Sequence, residues 1–310
     1  MWYEFFSRYA FKNTRNNQLM KRSTFLTLMS GILSFGSVGA IDSLIQYLPE
    51  TDSKMPVLFV GHGSPMNGIE DNEFSRYWKK LATEIEQPKA VLCISAHWLT
   101  KGTYVTAMEH PKTIHDFGGF PQQLFDVQYP APGNPSLADE TAKLITSTNV
   151  MLDHDWGLDH GTWTIVRHMY PNANIPVLQL SIDYNQPANY HYNLAKQLAS
   201  LRKKGVLIIG SGNMVHNLGM VAWDKLNDSY GYDWALEMNA MFKEKIEAND
   251  HAALMAYEKL NPAAKLAIPT PDHYYPLIYT LGLQEKKDTI SFFNDKPMAG
   301  SLTMTSVKFG

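Results

Sequence analysis

The stretch Val57–Pro65 reads VLFVGHGSP. Its apolar run fits a buried parallel strand, and Gly61, Gly63 and Pro65 force the chain to turn at the end of it. His62 is thereby placed at the C-terminal end of a strand, where open α/β sheets put their ligands. The pattern occurs twice more. Val91–Trp98, VLCISAHW, carries His97 at the end of a second apolar run, and Val206–His216, VLIIGSGNMVH, carries His216 just beyond a third. If these strands are parallel neighbours, the three histidines converge on one edge of a sheet. A metal site is assembled from distant sequence in this way.

Composition sets the outer limits. At 310 residues, 45% apolar and 18% charged, the chain is an ordinary globular enzyme in make-up. A net charge of −3 gives no support for nucleic-acid binding. The single cysteine, Cys93, has no internal disulfide partner and sits in an apolar run, so it reads as a small core residue. A metal here must be held by His, Asp or Glu.

Residues 1–50 read as an N-terminal extension, and residues 51–310 as the catalytic domain. Met20-Lys21-Arg22 is a basic start, Phe25–Ile41 is apolar and small, and Val38-Gly39-Ala40 has the form of a signal-peptidase site. Lys21-Arg22-Ser23-Thr24-Phe25-Leu26 is a degenerate echo of a twin-arginine signal. The expectation is export to the periplasm, a cytoplasmic protein with an unstructured tail being the other reading. The apolar run, broken by Gly, Ser and Thr, is marginal as a membrane span, and no other segment is apolar and long enough, so no stable span is expected in the mature protein.

From Met55 onward strands and helices alternate. Strands are expected at Met55–Val60, Ala90–Ser95, Thr103–Met108, Val150–Asp153, Val177–Ile182, Val206–Gly210, Thr289–Phe293 and Leu302–Val307. Helices are expected at Asp71–Glu86, Pro135–Ser147, up to Met169 after Trp156–Trp163, and at Pro187–Lys204, Trp234–Ala248, His251–Lys259 and Pro271–Leu281. The alternation predicts one α/β domain, a central sheet flanked by helices. Between Glu109 and Pro135 lies a long stretch dense in Pro, Gly and aromatics, the composition of a lid or binding loop.

Of eleven histidines, His110, His154, His168, His191 and His251 lie beside polar neighbours and read as structural. His62, His97, His160, His216 and His273 sit at punctuated turns or helix starts, and His115 lies in the long loop. Neutral imidazole suits Zn, Fe, Cu and Ni, so these residues point to a metal without choosing it.

GHGSPM (61–66), SAHW (95–98), DFGGFP (116–121), YPAPG (129–133), WGLDHGTW (156–163), SGNMVHNL (211–218) and TPDHYYPL (270–277) occur in this order. Together they resemble the class III extradiol ring-cleaving dioxygenases, in particular the 4,5-DOPA extradiol dioxygenase branch. The resemblance runs from about Pro56 to the C-terminus. It implies a single α/β domain with a central mixed sheet and a metal at the C-terminal ends of its strands. His62, His97 and His273 match the metal ligands, His273 standing where the wider superfamily has a glutamate. His216 matches the acid/base histidine, close enough to count as a fourth ligand, and His160 a second active-site histidine. The implied reaction opens the ring of a small, L-DOPA-like catechol with O2 to a muconate semialdehyde. Ring cleavage by O2 is spin-forbidden for a closed-shell catechol, so the expected metal is non-haem Fe(II), with Zn(II) an alternative occupant.

The remaining motif residues have two readings each. His115 is a candidate contact for a substrate carboxylate or phenolate. Trp98 and Trp163 line the ring pocket or pack in the core. Asp116 and Asp159 orient histidines or cap turns. Asp272 caps the following helix, or takes the place of His273 as ligand. Ser64 lacks the surroundings of a nucleophile elbow. Two other functions stay open at this point: a zinc hydrolase that activates water on three histidines, and a non-enzymatic binding protein on the same fold.

Overall fold

Alternate residues along the central strands point to opposite sides of one sheet, and this divides the core in two. Val57, Phe59, Leu92, Ile94 and Ile208 face one layer; Leu58, Val60, Val91, Cys93 and Ile209 face the other. Such near-continuous apolar runs are what a parallel sheet covered on both faces requires. The computed structural model describes residues 48, 50, 53–226 and 228–310. These lie in one compact unit, Gln46–Gly310. The signal-like segment, and with it the export expectation, lies outside the described residues.

The main sheet has eight strands: β1 (Val57–Gly61), β2 (Ala90–Thr100), β3 (Thr103–Thr106), β4 (Val150–Asp153), β5 (Val177–Asp183), β6 (Val206–Gly212), β7 (Ile290–Phe293) and β10 (Ser306–Phe309). A two-stranded ribbon joins β8 (Pro297–Met298) to β9 (Leu302–Thr303). The order across the main sheet is β4-β3-β5-β2-β6-β1-β10-β7. The central four, β5-β2-β6-β1, are parallel; β10 and β7 add on antiparallel at one side, and β3 pairs antiparallel with β5 at the other. The sheet is therefore mixed, and the strands leading to His97, His216 and His62 are adjacent.

Helices of eight residues or more among the described residues are α1 (Glu73–Glu84), α2 (Pro135–Leu144), α3 (His160–Met169), α4 (Ala188–Lys196), α5 (Asp233–Glu247) and α6 (Tyr275–Leu283). Asn72 opens α1 with a capping box: its side chain accepts from the Ser75 N–H, and Ser75 Oγ accepts from the Asn72 N–H. The expected helix over Pro187–Lys204 is broken in two, the second piece being Ala199–Lys203. The expected closing strand Leu302–Val307 is likewise split between β9 and β10. Helix α6 is buried over its whole length, and no membrane is needed to explain its apolar sequence, since it packs against β6 and α4. Among the described residues no helix is long and apolar enough to cross a membrane.

Two buried polar groups tie this frame together. Arg202 is fully buried, donating to the carbonyls of Met55 and Leu283 and pairing with Asp288 at 2.7 Å. Removing the guanidinium as Arg202→Ala leaves the Met55 and Leu283 carbonyls without this donor and Asp288 paired to Lys54, and a loss of about 2–4 kcal/mol in unfolding free energy is expected from denaturant titration. His191 on α4 faces α6. Its Nε2–H donates to the Gln186 carbonyl, so its Nδ1 accepts from the Tyr279 hydroxyl at 3.0 Å. Burial lowers its pKa to about 4 from an ordinary 6.5. The unfolded chain therefore takes up this proton before the native state does. Stability present above pH 6.5 should fall as pH drops toward 4, by about 3 kcal/mol from this group. His191→Gln should show a shallower acid limb in melting temperature between pH 7 and 4.5; an unchanged slope would assign the limb to other histidines.

Candidate metal centre

His62 follows β1 directly, its backbone N–H donating to the Gly212 carbonyl at the end of β6. His97 sits inside β2 where the pairing with β5 loses register: Ile94 faces Leu180, but the next match is Leu99 with Ile182. Five steps along one strand meet two along the other, and the bulge re-aims the side chains between them. His160 is the first residue of α3, whose cap Asp159 accepts from the Thr162 N–H. His216 lies beyond β6, bridged to Leu302. His273 precedes α6, and its carbonyl accepts from the Asn213 N–H at 2.9 Å. Two glycines let these pieces approach. A Cβ on Gly212 would lie 2.1 Å from the His273 carbonyl oxygen, and one on Gly161 would lie 2.5 Å from Ser95 Oγ and 2.9 Å from the His97 ring.

The ring nitrogens of His62, His97 and His160 lie within 4.8 Å of one another, and donor atoms of His216, Asp272 and His273 form a second such group. The two groups abut. The His273 ring centroid is 5.3 Å from that of His62 and 5.0 Å from that of His97, and the latter two are 5.0 Å apart. Nε2 of His62 and Nε2 of His97 face each other at 3.1 Å. For two imidazoles holding one metal at about 2.1 Å, the nitrogens stand about 3.0 Å apart at a right angle and about 3.4 Å at the tetrahedral angle; the ring centroids stand about 4.6 to about 5.3 Å apart. The His62–His97 nitrogens fall in the first range, and all three centroid separations of the His62–His97–His273 triangle fall in the second. The His97–His160 pair, with centroids at 3.9 Å, is too close for both rings to point at one ion.

Each ring of that triangle has its second nitrogen held. His62 Nδ1 meets Ser211 Oγ at 2.9 Å, and Ser211 donates its own proton to the Gly161 carbonyl, so it must accept from the imidazole. His97 Nδ1 faces Asp116 Oδ2 at 3.3 Å. His273 Nδ1 is hydrogen-bonded to Asp272. Protons on all three Nδ1 atoms leave three Nε2 lone pairs, the arrangement in which outer acceptors fix tautomer and aim. Burial lowers the pKa of His62, His97 and His216 well below the ordinary value, and neighbouring imidazoles push the same way, so these rings are neutral near pH 7. The residues present thus fit a divalent transition metal held by imidazoles.

Asp116 also serves His160: Oδ1 accepts its backbone N–H at 2.9 Å, and Oδ2 lies 2.9 Å from its Nδ1, approaching too obliquely for a directed hydrogen bond. Burial alone would raise the Asp116 pKa, but the facing His160 and His97 outweigh it and hold the carboxyl well below the usual range. Asp272 is held low in the same way by His273. Its cap reading is corrected: α6 begins at Tyr275 with no side-chain cap, and Asp272 spends its carboxylate on His273. Asp159 does take the cap role, and receives Ser95 Oγ and Gln179 Nε2; burial and nearby Asp116 push its pKa up to about 6.

Other expected residues lie in or beside this cluster. His115 donates from Nε2 to the Val127 carbonyl and packs among Phe117, Phe125 and Trp163. Trp98 is buried and stacks on Trp156. Trp163 is a core residue that anchors the long loop through the Ile114 carbonyl. Ser64 caps a 3-10 turn, accepting from the Met66 N–H. Two residues were not picked out by the sequence. Ser211 has no pattern of its own within SGNMVH, and Phe117, edge-on to His160 at 5.5 Å, is one aromatic among many in its loop.

Residues 55–303 match the family described as the catalytic LigB subunit of aromatic ring-opening dioxygenase. The chain belongs to this family of extradiol ring-cleaving enzymes, and this sets aside the hydrolase and the binding protein. It is 44% identical over 271 residues to the 4,5-DOPA dioxygenase extradiol of Escherichia coli K12, covering 86% of this chain and 99% of that one. It is 34% identical to the protein of the same name from Beta vulgaris, covering 83% of this chain and 97% of that one. The crystal structure of an uncharacterized protein from E. coli K12 superposes with a TM-score of 0.70 at 41% identity, over 83% of this chain and all of that one.

Ser211→Ala removes the acceptor that fixes the His62 tautomer. Metal affinity should fall about 10–100-fold with the fold intact, read by competition against a chromophoric chelator. Wild-type affinity would show that backbone placement alone aims His62.

Proposed function

We propose that this enzyme opens the ring of a small catechol of the L-DOPA type with O2, giving a muconate semialdehyde, and that His62, His97 and His273 hold Fe(II) for the purpose. The observation that carries the ligand assignment is the triangle of imidazoles with protonated Nδ1 atoms and free Nε2 lone pairs. Zinc fits the same nitrogens and is the expected contaminant. The substrate class follows the names carried by the bacterial and plant relatives.

When bound, Fe(II) supplies the one-electron chemistry that lets triplet O2 react with a closed-shell ring. The protein's own part is proton handling. His216 stacks on His273 at 3.5 Å with the ring planes 6° apart. A nitrogen donates in its own ring plane, and two parallel planes at that spacing do not meet at one ion. His216 is therefore read as acid/base rather than as a fourth ligand. Held neutral by burial, it can take the proton of a catechol hydroxyl and return it as the ring bond beside the diol breaks. Both oxygen atoms end in the product, one in the new carboxylate and one in the aldehyde. His160, against Asp116 and beside His97, is the second proton-carrying group.

The test uses protein purified without oxygen and loaded with Fe(II). Oxygen uptake equal to the L-DOPA consumed is expected, with none from zinc-loaded protein; catechol left intact by the iron form would overturn the reading. His62→Ala should lose its metal. His216→Phe should keep metal and bound catechol while turnover slows by about 10²–10⁴-fold. Loss of metal from His216→Phe matching that of His62→Ala would make it a ligand, leaving His160 as the proton carrier.

A further inference from the structure

We infer that Gly118 is a specificity-determining position, left without a side chain so that the tail of the catechol has room at the mouth of the metal pocket. This rests on the catechol reading above.

Glycines around the site have steric causes. Gly161 and Gly212 would clash at 2.5 Å and 2.1 Å if they carried a Cβ. Gly118 has none. Its φ is not among the positive values, so the backbone does not demand glycine, and a Cβ built on it would meet nothing within 4 Å among the described residues. Packing and backbone geometry both leave the position free to carry a side chain.

Its surroundings say which space it borders. Two residues earlier, Asp116 is fixed to His97 Nδ1 and to the His160 backbone. One residue earlier, Phe117 sets its ring edge-on to His160 at 5.5 Å and against Trp163 and Phe125 at 6.1 and 5.1 Å. The backbone at 116–117 is thus held against the histidine cluster, and the next residue is half-exposed. The held edge thus ends in a bare Cα one residue beyond the Phe117–His160 contact, with open space where a side chain would stand. The diol end of a catechol is directed at the metal nitrogens, so a substituent on the ring's far side points away from them, and the open space at residue 118 is assigned to it.

The proposal predicts a discrimination rather than a general loss. In Gly118→Val, the KM for L-DOPA should rise about tenfold or more relative to the KM for unsubstituted pyrocatechol, the scale at which filling a pocket by a few carbons excludes a substrate. Gly118→Ala should move the same ratio in the same direction by less. The anaerobic Kd of the two catechols, titrated by absorbance on iron-loaded protein, should change in parallel with KM, and kcat should change less than KM. Metal content and melting temperature should hold in both variants, since a loop Gly→Ala narrows the unfolded ensemble without a native clash. Equal shifts for both catechols, or no shift for either, would overturn the role of Gly118. So would a fall in melting temperature with no change in the ratio. Failure of wild-type protein to bind any catechol would instead bring down the functional reading, and is visible before any variant is made.

Discussion

A buried imidazole can serve a metal only if one nitrogen is kept bare and correctly aimed, and the whole site is built around that constraint. Burial removes the option of protonation, and an acceptor at Nδ1 removes the wrong tautomer. Ser211, Asp116 and Asp272 are these acceptors, one for each ring of the His62–His97–His273 triangle. They differ in kind. A hydroxyl adds no charge beside His62, whereas the carboxylates of Asp116 and Asp272 place negative charge one shell out from His97 and His273. Among the described residues, the carboxylates of Asp116 and Asp272 reach the triangle at the Nδ1 side of its rings.

The sheet makes this arrangement feasible. Because β2, β6 and β1 are adjacent and parallel, their C-terminal ends open on one crevice. The bulge in β2 then turns His97 toward it, and β6 supplies both Ser211, for His62, and Gly212, which lets the His273 backbone close in. The antiparallel strands at either side contribute extent and little chemistry. Helix α6, wholly buried, holds His273 at its entry, so the third imidazole of the triangle is carried on an apolar, buried helix.

The strand frame was legible because apolar runs ending in Gly and Pro have few other readings. Val150–Asp153 has the expected bounds, and β1, β2 and β6 are neighbours as expected; His97, however, lies at a bulge inside β2, which runs on to Thr100 rather than ending at Ser95. What escaped was interaction at long range. The Ser211–His62 bond joins residues 149 positions apart, and neither residue's neighbourhood announces it. Asp272 was misjudged as a helix cap because Pro-Asp before an apolar run is a strong local signal; its partner is the adjacent imidazole, a choice made by tertiary burial. The continuous helix expected over Pro187–Lys204 is interrupted at Gln197 and Leu198, whose ψ angles of −15° and 0° are too shallow to continue the helix, a break that residue pattern alone does not mark. Trp98 is buried and stacks flat on Trp156, a contact between residues 58 positions apart that its own motif does not announce.

The histidines at 62, 97 and 273 are drawn from nearly the full length of the described chain, and the groups that aim them come from β6 and the long loop. A fragment lacking either end of the domain lacks one of these rings or a group that aims it. Contacts of this sequence separation are closed late, after most loop entropy has been spent, so ion capture reports on completion of the native topology. The thermodynamic corollary is linkage. A cation recognised by the finished fold and by no partial one adds its full binding free energy to the cooperative unfolding transition, about 2.7 kcal/mol when free metal is a hundred times its dissociation constant. Through that linkage, metal supply would set how often the polypeptide opens to proteolysis, quite apart from whether it turns over.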